Sequence, residues 1–151
     1  MVSSDRESSR RYIAPGSLPP AWHRNCLTPY QHYIMKKILI VEDEADMCLL
    51  LEILLTGKGV QLDHVKSISS AADYLQSQIP SMVILDNKLP DGFGIDFIPE
   101  IKKEFPDLKI IMISGLGDAA KDVALDNGAD IFLNKPFTRD QLYQSVKNLL
   151  N

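Results

Sequence analysis

Residues Met82–Gly94 read M-V-I-L-D-N-K-L-P-D-G-F-G. Four apolar residues run straight into a carboxylate, Asp86, and then into a loop punctuated by Pro90, Gly92 and Gly94. An apolar run of this length, bounded by turn residues, is the pattern of a strand buried on both faces of a sheet. A helical pattern follows the loop. Asp86 then stands at the carboxyl end of its strand, where open α/β sheets place their ligand crevice. A carboxylate there serves as a nucleophile, a metal ligand or a helix N-cap, Asp being a favoured capping residue.

The same alternation repeats on both sides of that unit. Upstream, Ile38–Val41 is a buried run, and Ala45 to Lys58 has helical spacing (Met47, Leu50, Leu51, Leu54), ended by Gly57 or Gly59. Val60–Val65 alternates weakly, as a half-exposed edge strand does. Ser67 to Gln78 reads as a second helix with Ile68, Ala71, Ala72 and Leu75 on one face. Downstream, Ile95 to Glu104 is a third helix, which Pro99 is expected to kink or shorten. Ile110–Ile113 is a fourth buried run, ending in Ser114-Gly115. Asp118 is read as the cap of a small-residue helix that stops at Asn127-Gly128, and Asp130 to Leu133 as a short fifth strand. Thr138 to Gln141 is a capping box that opens a last helix carrying Leu142, Val146, Leu149 and Leu150.

Five strands alternating with five helices imply right-handed parallel crossovers and a sheet covered on both faces. Flavodoxin-like and Rossmann-like strand orders both fit the alternation. No G-x-G-x-x-G follows the first strand, which counts against a dinucleotide.

Composition narrows the class. The chain of 151 residues, 45% hydrophobic, suits one globular domain with a tail. Residues 1–35 are rich in Ser, Arg and Pro without apolar period, and read as a loosely attached tail; Trp22, Tyr30 and Tyr33 lie in it. Met35 directly precedes the first strand and is an alternative start. The tail carries four Arg against Asp5 and Glu7, a balance of +2, and the remainder carries 12 basic against 18 acidic residues, a balance of −6. An acidic domain without a basic stripe is a poor direct binder of nucleic acid. Cys26 and Cys48 form neither a disulfide framework nor a metal-ligand spacing, which suits a reducing cytoplasm. No apolar run reaches membrane-spanning length, and no signal-peptide pattern opens the chain.

The residues just past each apolar run carry the chemistry. The first strand ends in Glu42-Asp43-Glu44, the third in Asp86 and the fourth in Ser114, and the fifth is followed by Lys135-Pro136. In a parallel sheet these points share one edge. Two carboxylates about 4 Å apart repel by roughly 4 kcal/mol at an effective dielectric near 20, so stability alone does not favour the cluster. A hard divalent cation and a nearby ammonium remove that penalty. Mg2+ takes one or two carboxylates and accepts phosphate oxygens as further ligands. A carboxylate beside it, with Lys and Ser donors, is equipped to attack a phosphoryl group.

Four motifs in order, I-L-I-V-E-D-E, I-L-D-N-K-L-P-D-G-F-G, M-I-S-G and L-N-K-P-F, make the stretch from Lys36 to Asn151 resemble the receiver domain of two-component response regulators, of the stand-alone, chemotaxis-regulator-like type. The resemblance implies a flavodoxin-like, doubly wound (βα)5 fold with strand order 2-1-3-4-5. It implies Asp86 as phosphoacceptor and Asp43 as direct Mg2+ ligand. Glu42 would act on the metal through water, and the Lys88 carbonyl would be a further ligand. Ser114 and Lys135 would hold the phosphoryl group, Phe132 would occupy the aromatic switch position, and the Lys135–Pro136 bond would be cis. Glu44 reads as helix-end charge and His64 as a strand residue. Glu42 stands where Asp is commoner, and Phe132 where Tyr is commoner, so a switch here would rest on ring burial.

The implied activity is a phosphorylation-dependent switch rather than a turnover enzyme. The phosphodonor would be a histidine kinase or a histidine phosphotransfer protein. A downstream protein would read the face made by the fourth helix, fifth strand and fifth helix, and a homodimer formed on phosphorylation belongs to the same expectation. The chain stops just after the fifth helix, so the output is expected to be a protein contact unless this is a fragment of a longer regulator. Two rivals are an unphosphorylated pseudo-receiver, against which intact Asp43, Asp86 and Lys135 argue, and a metal-dependent hydrolase. The hydrolase needs a second carboxylate close after the nucleophile, and Asn87-Lys88 supplies none.

Overall fold

The computed structural model describes residues 35–151. The tail expected over residues 1–35, with its aromatic residues Trp22, Tyr30 and Tyr33, lies outside the described residues except for Met35. The elements are β1 (Lys36–Val41), α1 (Ala45–Leu55), β2 (Val60–Val65), α2 (Ile68–Ser77), β3 (Met82–Asp86), β4 (Lys88–Leu89), β5 (Gly92–Phe93), α3 (Gly94–Glu104), β6 (Lys109–Ser114), α4 (Asp118–Asp126), β7 (Ile131–Asn134) and α5 (Arg139–Leu150). Five strands form one parallel sheet in the order β2-β1-β3-β6-β7. Counted without the small β4–β5 hairpin, that is 2-1-3-4-5, the flavodoxin-like order. Of the two orders left open by the alternation, this one puts β1 beside β3.

Alternation along the central strands feeds two cores. Ile38, Ile40, Met82, Ile84, Ile111 and Ile113 face α1 and α5, where Leu51, Leu55, Leu142 and Val146 meet them. Leu39, Val41, Val83, Leu85, Ile110 and Met112 face α2, α3 and α4. β3 is buried at every position, as its unbroken apolar run requires, whereas edge strand β2 has no fully buried residue.

Several element ends differ from expectation. α1 stops at Leu55 rather than Lys58 because Thr56 leaves helical backbone and its hydroxyl donates to the Glu52 carbonyl at 2.6 Å. Asp118 is not the cap of α4. Gly117 holds that position with φ 77°, and Asp118 is the first helical residue with no capping bond. β7 runs Ile131–Asn134, one residue later than expected. Asp130 is drawn off the strand by the backbone: its N–H donates to the Ile110 carbonyl at 2.9 Å and its carboxylate accepts the Ile110 N–H at 2.9 Å. The capping box at Thr138 and Gln141 forms as expected.

Pro99 does not shorten α3; it is the sixth residue of an eleven-residue helix. Having no N–H, it leaves the Ile95 carbonyl one turn earlier without its helical partner. The side-chain amide of Asn127, at the end of α4, donates to that carbonyl at 2.9 Å. A residue 32 positions away thus fills the gap that the proline opens.

Candidate functional site

Register assembles the site before any side chain is considered. Val41 pairs with Leu85, so Glu42 comes abreast of Asp86. Asp86 pairs with Ile113, and Ser114 with Asn134. The Lys135 N–H donates to the Ser114 carbonyl at 2.9 Å, which draws the start of the next loop onto the same edge. Four strand ends therefore converge at the carboxyl edge of the sheet.

Asp86 and Glu42 are almost fully buried there, at 6% and 2% exposure, while Asp43 is exposed. Carboxylate oxygens of Glu42, Asp43 and Asp86 lie within 4.8 Å of one another. Lys135 Nζ is 2.7 Å from Asp86 Oδ1 and 3.5 Å from Glu42 Oε2. Asp86 Oδ2 accepts the Lys88 N–H at 2.9 Å, and Glu42 Oε1 accepts the Glu44 N–H at 3.0 Å. Burial raises the Glu42 pKa, with the Glu44 N–H opposing and the Asp86 charge adding to the rise. Burial works against the Lys135 ammonium, but its hydrogen bond and charge attraction to Asp86, and then Glu42, carry its pKa above the ordinary value.

Ser114 is buried, and its hydroxyl oxygen accepts the Leu116 N–H at 3.2 Å. Phe132 is half-buried and packs against the core on the α2–α4 side. The Lys135–Pro136 bond is cis, as expected. Lys88 is exposed on β4 and turns its N–H to Asp86. Glu44 is the residue preceding α1 and makes no side-chain cap, and His64 is exposed on edge strand β2.

Gly94 has a steric reason to be glycine: a Cβ there would collide with the Asp86 carbonyl oxygen. Two further residues shape the loop without having been singled out from sequence. Asn87 is buried; its carbonyl accepts the Gly94 N–H at 2.8 Å and its Oδ1 accepts the Ile95 N–H at 3.1 Å, capping α3. Asp91 accepts the Ile68 and Ser69 N–H groups, each at 2.9 Å, at the start of α2. Asn and Asp are capping residues by type, but both cap a helix in which they do not lie, and spacing carries no sign of that.

The donor set suits a hard divalent cation. Three carboxylates offer oxygens within one ion's reach, and no thiol or imidazole belongs to the group. Among those oxygens Asp43 makes no hydrogen bond or ion pair among the described residues, whereas Glu42 and Asp86 are partly committed to Lys135.

Residues 38–147 match the family model described as the response regulator receiver domain. The chain is 32% identical over 118 residues to the phosphate regulon transcriptional regulatory protein PhoB of Escherichia coli, covering 76% of this chain and 52% of that one. It thus spans about half the length of that relative. The crystal structure of a putative response regulator from Chloroflexus aurantiacus superposes with TM-score 0.72 at 30% identity, covering 76% of this chain and 97% of that one. The beryllofluoride-activated NtrC4 receiver domain dimer superposes with TM-score 0.73 at 32% identity, covering 77% of this chain and 97% of that one. No helix among the described residues is long and apolar enough to cross a membrane.

Proposed function

The chain belongs to the response regulator receiver domain family, and on that premise we propose that it is a switch thrown by phosphorylation of Asp86. The observation that carries this reading is the surplus of charge at the strand ends: three carboxylates lie within 4.8 Å of one another, and one ammonium pairs with two of them. An Asp86 oxygen attacks the phosphorus of a phosphohistidine; the new O–P bond forms as the N–P bond breaks, and the imidazole nitrogen leaves with the electron pair. Glu42, Asp43, Asp86 and the Lys88 carbonyl would hold Mg2+, which supplies charge neutralisation on the transferring oxygens. Lys135 already lies on the accepting carboxylate and offsets charge on the same group.

The transferred group adds roughly −1.5 to −2 charge. The Ser114 hydroxyl turns from the Leu116 N–H to a phosphoryl oxygen, which frees Leu116 and the loop entering α4. Phe132, half-buried now, turns inward behind it, and the α4–β7–α5 face changes its partner preference. The phosphodonor is a histidine kinase or histidine phosphotransfer protein, acting from the cytoplasm. The reader is a protein, and a second copy of the chain is included among the partners. The chain turns over no substrate beyond its own phosphoryl group. We assign residues 36–151 to the receiver unit.

Intact mass after incubation with Mg2+ and a small phosphodonor tests the reading. One phosphoryl adduct that needs Mg2+ and is missing in Asp86→Asn is the expected result. A wild-type protein that binds Mg2+ yet gains no mass would overturn it.

A further inference from the structure

The hairpin that follows Asp86 is tied at both ends. At one end the Lys88 N–H donates to Asp86 Oδ2 at 2.9 Å. β4 and β5 then pair Lys88 with Phe93 and Leu89 with Gly92, leaving Pro90 and Asp91 at the turn. At the other end the Asp91 carboxylate takes two N–H groups from the first turn of α2, Ile68 through Oδ1 and Ser69 through Oδ2. Gly92 lies close behind them: with φ +156°, a Cβ there would stand 3.0 Å from Ile68 Cδ1.

α2 has a cap of its own. The Ser67 hydroxyl accepts the Ser70 N–H at 3.1 Å. Asp91 and Ser69 are exposed, so water serves the Ser69 N–H group if Asp91 is removed. The two bonds therefore matter more to the hairpin than to the helix. The Ser69 and Ile68 N–H groups also hold the Asp91 carboxyl below the usual carboxylate range, so the tie is charged at neutral pH.

We propose that Asp91 is a positioning residue for phosphoryl transfer: it fastens the Lys88–Phe93 hairpin to the amino end of α2 and so keeps the Lys88 N–H on Asp86. The inference rests on the reading of Asp86 as phosphoacceptor. Small displacements of a reacting group cost large factors in rate, so a slack hairpin slows transfer and loosens the metal site that the Lys88 carbonyl would complete.

The test compares wild type, Asp91→Ala, Asp91→Asn and Ser67→Ala in the full chain. Adduct formation is followed against Mg2+ concentration, and exchange of the Lys88 amide hydrogen by NMR. Asp91→Ala is expected to slow adduct formation by about tenfold, to raise the half-saturating Mg2+ concentration several-fold and to speed Lys88 exchange. Asp91→Asn, which keeps one acceptor, falls between. Ser67→Ala weakens the same helix end but leaves the tie intact, so it keeps the wild-type rate and Mg2+ dependence. A rate and Mg2+ dependence within twofold of wild type in Asp91→Ala would overturn the proposal, as would equal slowing by Ser67→Ala. If wild type takes no phosphoryl group, the phosphoacceptor reading falls and takes the role in transfer with it, while Lys88 exchange still decides the tie itself: faster exchange in Asp91→Ala shows a tie that serves the fold alone, and unchanged exchange overturns the tie as well.

Discussion

At the amino edge of the sheet, the Asp130 carboxylate lies 3.1 Å from Lys102 Nζ and 3.5 Å from Lys109 Nζ, and it also accepts the Ile110 N–H. At the carboxyl edge, three carboxylates cluster, and two of them, Glu42 and Asp86, pair with the single ammonium of Lys135. Both edges hold close lysine–carboxylate pairs, so the presence of an ion pair does not tell a functional site from a structural one. The balance of charge does. One carboxylate between two lysines leaves no acid group unpaired, and the cluster stabilises the fold. Three carboxylates around one lysine are an arrangement that folding alone does not favour, and their oxygens suit a hard divalent cation.

The largest expected contrast comes from removing one lysine at each edge. Lys135→Met should slow adduct formation by about a hundredfold, the scale on which losing one charge-stabilising donor acts. Lys102→Met should leave that rate near wild type while lowering stability in urea, because its ammonium holds Asp130 and the Leu108 carbonyl. Equal effects of the two substitutions on rate would erase the distinction between the edges.

Asp130→Ala sharpens the structural half. It should cost about 3 kcal/mol in urea unfolding, since it strands a largely buried ammonium and the Ile110 N–H. Burial raises the Asp130 pKa, but the Ile110 N–H, Lys102 and Lys109 outweigh it, so the folded value lies below the unfolded one. Its contribution is therefore present above the unfolded value, near pH 4, and is lost as pH falls through the folded value. The acid limb of stability should be shallower in Asp130→Ala than in wild type. An unchanged limb would assign acid sensitivity to other carboxylates.

A smaller effect concerns the tie between α3 and α4. Asn127→Ala should cost about 1 kcal/mol, because the Ile95 carbonyl loses its donor. In a Pro99→Ala background the cost should fall by more than half, since residue 99 then supplies its own N–H. Additive effects in that double-mutant cycle would sever the link between the proline and the amide.

These contrasts mark where the sequence was legible. The apolar runs of β1, β3 and β6 announce buried strands, and a parallel sheet obliges their ends to meet. Glu42, Asp43, Asp86, Ser114 and Lys135 could therefore be placed on one edge from spacing alone. Parallel alternation left the strand order open until the motif resemblance selected one. Asn87, Asp91 and Asn127 were not legible, because each bonds backbone of an element it does not belong to. The ends of α1 and α4 shifted for local reasons, the Thr56 hydroxyl and the backbone of Gly117, which apolar periodicity does not register.

The claim on which the functional reading turns is that negative charge at the carboxyl edge is left uncompensated for a cation. Asp43 is the clearest probe, since it is exposed and makes no hydrogen bond or ion pair among the described residues. The direct measurement is urea unfolding of wild type and Asp43→Asn, each with and without Mg2+. Without the cation, Asp43→Asn should be the more stable by about 1 kcal/mol, because repulsion is relieved and no bond is lost. With Mg2+ at a hundred times its dissociation constant, wild type should gain about 2.7 kcal/mol and become the more stable of the two. An order of stability that Mg2+ does not invert would contradict the account.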